Sequence, residues 1–193
     1  MKLLSVLCLI LCICLSGSFG KENPENLQIE PPRPPNHAPI PRSSVNYWYS
    51  PLTAISSGPA GPPSKVIVAP YCCPSTALKI WANQTVREDD SQWVVIGLSV
   101  PNTNIKGVTI YYQAKTSSRG STYISQVRLT QMTTPDKALV IHDDANNLAS
   151  LLPTSYFSPL NIKVEGIISL SLRIVIGNPG DSIILGGIML ELE

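Results

Sequence analysis

Ile168-Ser169-Leu170-Ser171-Leu172-Arg173-Ile174-Val175-Ile176 sets an aliphatic residue at every second position. Successive side chains of an extended chain point to opposite faces, so this spacing gathers the aliphatics on one side only if the segment is a β-strand. Gly177-Asn178-Pro179-Gly180-Asp181 then interrupts the pattern with turn residues, and Ser182 to Leu192 resumes it, with Ile184, Ile188, Leu190 and Leu192 assigned to one face. The reading is a C-terminal hairpin.

Upstream, Ile105 to Ala114 and Thr122 to Met132 read as a second hairpin, joined by the polar loop Lys115 to Ser121. A one-residue slip would exchange the two faces, so burial selects the register. Placing Ile110 opposite Val127 sets Val108 by Leu129, Tyr112 by Ser125 and Ala114 by Tyr123 on an apolar face. The solvated face then carries Thr109, Tyr111 and Gln113 against Arg128, Gln126 and Ile124, so Tyr112 is expected buried and Tyr111 exposed. Further strands are expected at Lys65 to Ala69, Ala77 to Ala82, Gln92 to Val100 and Lys137 to His142. Helix signals are confined to a turn across Asp144 to Leu151. Roughly seven or eight short strands with turns between them predict an all-β fold, an antiparallel β-sandwich of jelly-roll-like or immunoglobulin-like kind.

The N-terminal side has a different composition. Lys2, the apolar block Leu3 to Leu15 and the small residues Ser16 to Gly20 form a signal peptide over 1–20, cleaved after Gly20, which predicts a secreted protein. Cys8, Cys12 and Cys14 leave with it. The block is shorter than the ~20 apolar residues of a membrane span, and no longer apolar run follows. Over 21–64, prolines crowd among Asn, Ser and Gly. Each removes a backbone donor and fixes φ, which predicts a disordered, extended Pro-rich tail ahead of a β-sandwich domain over 65–193. Val45-Asn46-Tyr47-Trp48-Tyr49 is the exception within that tail: its three aromatics either dock on the domain or form an exposed binding site.

Lys plus Arg number 14 against 13 Asp plus Glu, a net charge of +1, with no basic cluster in the mature part. Binding nucleic acid requires clustered cations to neutralise phosphates, so nucleic acid is not an expected partner.

Candidate chemistry is sparse. Cys72 and Cys73 are adjacent; a vicinal disulfide, an intermolecular bridge joining a homo-oligomer and free thiols compete, and an oxidising compartment favours the bridges. His142-Asp143-Asp144, followed by Asn146 and Asn147, is the one place where an imidazole meets carboxylates. As a hydrolase site it would use His142 as base, but no serine sits in a nucleophile elbow. Asp143 and Asp144 could offer oxygens to calcium, though not at EF-hand spacing, and Asp is equally at home as a strand-ending turn residue. Glu88-Asp89-Asp90 reads as a charged loop, and Asn83-Gln84-Thr85 is a glycosylation sequon. No cofactor is expected.

A spacer carrying one small sandwich suits a non-catalytic binding or adhesion module with an extracellular glycan or protein ligand. For a glycan, the solvated face with Tyr111, Gln113, Gln126 and Arg128 is the expected site. The alternatives are a secreted hydrolase using His142 and a structural or matrix protein linked through Cys72 and Cys73.

Overall fold

The computed structural model describes residues 44–58, 63–72, 76–118 and 121–193. The expected signal peptide, most of the Pro-rich tail and Cys73 lie outside the described residues. Among the described residues, eleven strands make two antiparallel sheets: β1 (Val45–Tyr49), β2 (Ile55–Ser57), β3 (Val66–Pro70), β4 (Leu78–Ala82), β5 (Trp93–Ser99), β6 (Thr103–Lys115), β7 (Tyr123–Thr134), β8 (Lys137–Asp144), β9 (Thr154–Val164), β10 (Ile167–Val175) and β11 (Ser182–Leu192). One sheet runs β3-β4-β11-β6-β9, with β1 also paired to β11; the other runs β2-β5-β10-β7-β8. Single 3-10 turns at Pro51–Thr53 and Glu88–Asp90 are the helical elements among the described residues, and no helix there is long and apolar enough to cross a membrane. The chain is an all-β antiparallel sandwich, as the alternation predicts.

The core lies between the sheets. Ile168, Leu170, Leu172 and Ile174 of β10, with Ile176 just beyond it, are fully buried, facing Ile183, Leu185, Ile188 and Leu190 of β11 and Val108 and Ile110 of β6. Each fully buried aliphatic side chain contributes about 1.5–3 kcal/mol, so this interleaved layer is the main source of stability.

Pairing departs from both expected hairpins. β10 and β11 lie in different sheets, and so do β6 and β7. The four strands exchange partners instead: β6 pairs with β11, Lys115 opposite Ser182, while β7 pairs with β10, Tyr123 opposite Val175. The register of Ile110 on Val127 is therefore replaced by Ile110 on Ile188 and Val127 on Leu172. Both five-to-seven-residue linkers, expected as hairpin turns, cross from sheet to sheet at one corner of the sandwich. They clasp each other there. Asp181, 4% exposed, accepts hydrogen bonds from Thr116 Oγ1 (2.8 Å), Ser117 N (2.8 Å), Ser117 Oγ (3.0 Å) and Thr122 Oγ1 (2.8 Å). Gly177 is required at this approach, since a Cβ would lie 2.4 Å from that of Ser121.

Inward and outward faces mostly follow the alternation, and two bulges explain the exceptions. The register shift between Leu185 and Gly187 turns Ile184 to the outer face, away from Ile188 and Leu190. A second shift, opposite Arg173 and Ile174, carries Ile124 into the core, where strict alternation had placed it on the solvated face. An extra residue in one strand reverses the parity of all that follows. The Asp144 to Leu151 stretch is not helical; Leu148 is buried and bridges to Ile124.

Paired strand starts at Val45, well before Lys65. Val45–Tyr49 pairs with Leu192–Ile188 and Ile55–Ser57 with Val95–Trp93, so two strands come from the stretch read as tail. The prolines flank these short strands and do not interrupt them, and Pro51 is itself buried at the start of a 3-10 turn.

Candidate functional site

The sheet containing β6 and β11 carries an aromatic outer face. On β6 the core takes Ile110 and Tyr112, which leaves Tyr111 and Gln113 pointing outward. On β1 the same parity sends Tyr49 inward to pack against the core and leaves Trp48 outside, 62% exposed. Trp48 and Tyr111 stack across β11 with ring centroids 5.3 Å apart and planes 30° from parallel. Beneath them β11 has Gly186 and Gly187 in place of side chains: Gly187 pairs with Tyr111, and a Cβ there would meet nothing within 4 Å. The missing side chains open the floor. Two adjoining depressions result, of about 590 Å³ and about 470 Å³, sharing Tyr111 and Gly186. Tyr71, Gln113, Ser155 and Ile184 line the larger, and Trp48, Ser50 and Thr76 line the smaller.

The four residues expected to share a glycan face are divided by the fold. Tyr111 and Gln113 belong to this groove; Gln126 and Arg128, on β7, project from the outer face of the other sheet. There Arg128 pairs with Asp143 at 2.9 Å and stacks over Trp93, its guanidinium 4.8 Å from the ring centroid, while Gln126 also donates to Asp143. The reason is the exchange of strand partners, since the shared face depended on β6 lying beside β7.

Asp143 and Asp144 point to opposite sides of β8 and have different partners. Burial raises the Asp143 carboxyl, but the hydrogen bonds from Arg128 and Gln126 outweigh it and hold its pKa below the usual value. Asp144 faces β9, where burial is again outweighed by donors: Ser158, Tyr156 and Asn146. Tyr156 Oη donates to Asp144 at 2.7 Å, Asn146 Nδ2 at 2.8 Å, and the Ser158 hydroxyl donates as well. No group of three or more His, Cys, Asp or Glu among the described residues is arranged to hold a metal.

His142 also reaches this network, with Nε2 2.8 Å from Ser158 Oγ. The serine lies between the histidine and the aspartate and donates its proton to Asp144, and among the described residues no carboxylate is hydrogen-bonded to the imidazole. Ser158 is fully buried. A triad needs the histidine in the middle and a nucleophile that substrate can reach. What the cluster does is join the edge strands β8 and β9 of the two sheets. Ser158 was not anticipated because β9 contains Pro159 and reads poorly as a strand.

Cys72 is exposed just after β3; its pairing with Cys73 falls outside the described residues. Asn83 is exposed in the β4–β5 connection. The groove residues missed in the sequence are Tyr71, Gly186 and Gly187. Two adjacent glycines inside an apolar strand are the signal that could have found the floor, because they mark a bulge or an open approach.

No family model and no curated protein matches the sequence. Among solved structures the chain is similar to a family 35 carbohydrate-binding module from Clostridium thermocellum, at 8% identity and TM-score 0.48, covering 76% of this chain and 97% of that one. It is also similar to a family 61 module in complex with β-1,4-galactotriose, at 16% identity and TM-score 0.44, covering 72% and 88%. A family 4 module aligns at 14% identity and TM-score 0.45, covering 67% and 79%.

Proposed function

We propose that this protein is a secreted, non-catalytic carbohydrate-binding module whose ligand lies in the groove formed by Trp48, Tyr111 and the Gly186–Gly187 floor. The carrying observation is the Trp48–Tyr111 stack beside Gly186 and Gly187, the two positions of β11 without side chains. A sugar ring presents a face of C–H bonds and a rim of hydroxyls; an aromatic face receives the first, and planar amides or hydroxyls that both donate and accept receive the second. Gln113, Ser155, Ser50 and Thr76 supply such groups along the groove. The groove is open, which suits an extended glycan chain better than a small ligand that must be enclosed.

Trp48 provides the assay. Titration of the full chain with oligosaccharides should change its tryptophan fluorescence, and the change should disappear in Trp48→Phe. Tyr111→Ala and Gly187→Val, one removing a platform and the other filling the floor, should each weaken binding at least tenfold, equivalent to about 1.4 kcal/mol, without lowering the thermal midpoint by more than a few degrees. Binding unaffected by all three variants would place the ligand elsewhere, and turnover of a glycoside or ester lost in His142→Ala would make the protein a hydrolase.

A further inference from the structure

Lys79 and Lys115 stand at one end of the groove, on β4 and β6. Lys79 lies in register with Ile184, which lines the larger depression, and Lys115 with Ser182, both on the outer face of the sheet. The Lys115 ammonium sits 4.6 Å from the Tyr71 ring centroid and bonds the Tyr71 hydroxyl, while that of Lys79 sits 5.3 Å from the Trp81 ring centroid. Among the described residues neither forms an ion pair. Lys65, Lys106, Arg128, Lys163 and Arg173 are each matched by a carboxylate; Arg87 and Lys137 are not, but they lie in the β4–β5 connection and at the start of β8, outside the groove. Neither depression is lined by Asp or Glu. Asp181, the acidic group next in sequence to Ser182, is buried and turned into the corner clasp and forms no ion pair with either lysine, and Glu191 sits at the far end of the sheet, opposite Gly107.

Resting on the carbohydrate reading, we propose that the ligand is an anionic glycan whose charged group, a uronate carboxylate or a sulfate ester, is received between Lys79 and Lys115 while its rings run along Tyr71, Tyr111 and Trp48. Two cations outside any ion pair among the described residues favour a positive potential beside a groove without Asp or Glu in its lining, which attracts an anion and repels no neutral sugar. Tyr71 joins the two parts, since its ring lines the groove and its hydroxyl holds the Lys115 ammonium at the rim. A charge-assisted hydrogen bond from each ammonium would set the register of the chain in the groove.

Isothermal titration of the full chain with oligogalacturonate, a sulfated galactan oligosaccharide and a neutral β-1,4-galactan oligosaccharide of equal length tests this. One acidic ligand should bind roughly tenfold or more tightly than the neutral one, and the preference should shrink as salt is raised. Which acidic ligand it is distinguishes carboxylate from sulfate. Lys79→Gln with Lys115→Gln should abolish the preference while the thermal midpoint stays within a few degrees. Equal binding of acidic and neutral chains, or a preference unchanged in the double variant, overturns the assignment to these lysines and leaves the groove reading standing. No binding of any glycan overturns both.

Discussion

Tyr111 and Tyr112 are sequence neighbours divided by the sheet: Tyr112 is 8% exposed and belongs to the core, while Tyr111 is half-buried against Trp48 on the outer face. Replacing Tyr112 with Ala deletes a core aromatic and should destabilise by roughly 3–5 kcal/mol, measured by chemical denaturation. Tyr111→Ala loses an exposed stack and should cost about 1 kcal/mol at most. Similar losses at both positions would contradict the inward and outward assignment of β6. That assignment is legible in the sequence because it needs only the parity of one strand, whereas Ile184 and Ile124 are misassigned because each lies beside a bulge that parity does not reveal.

At the scale of elements, the corner where β6 leads to β7 and β10 leads to β11 depends on one carboxylate. Asp181 lies at the end of the connection after β10 and receives four donors from the connection after β6. Burial works against its ionisation, but the bonds from Ser117 N and the hydroxyls of Thr122, Thr116 and Ser117 prevail and lower its pKa from 3.8 to about 2. A depressed carboxyl stabilises the fold above its unfolded pKa, and the stabilisation disappears as pH falls through its folded pKa. The clasp should therefore be intact above about pH 4 and lose roughly 2 kcal/mol by about pH 2. Asp181→Asn should destabilise at neutral pH by roughly 2–3 kcal/mol and flatten the fall of the thermal midpoint across that window. An unchanged acid limb would mean that the clasp is not what acid dissolves.

For the whole molecule, the decisive strands come from both ends of the described chain. β1 pairs with the last strand, β11, and supplies Trp48; β2 covers β5 at the edge of the other sheet. A chain starting at Ser44 should match the full chain in denaturant midpoint. One starting at Lys65 loses both strands together with Tyr49 and Ala54, which pack on the core, and should be less stable by roughly 3–5 kcal/mol and fail to bind glycan. Equal stability of the two would confine the domain to 65–193.

The sequence by itself determined that the protein is all-β and which residues of most strands face the core, because alternation is a local property of an extended chain and needs no knowledge of the neighbour. Tertiary structure alone decided which strands are neighbours. A turn-rich linker such as Gly177 to Asp181 serves a hairpin or a crossing between sheets equally well, and the same aliphatic face is buried either way. The groove inherits this: Trp48, Tyr111 and Gly187 meet only because β1 and β6 both lie beside β11, whereas Gln126 and Arg128, nearer to Tyr111 in sequence than Trp48 is, are carried to the opposite face of the sandwich.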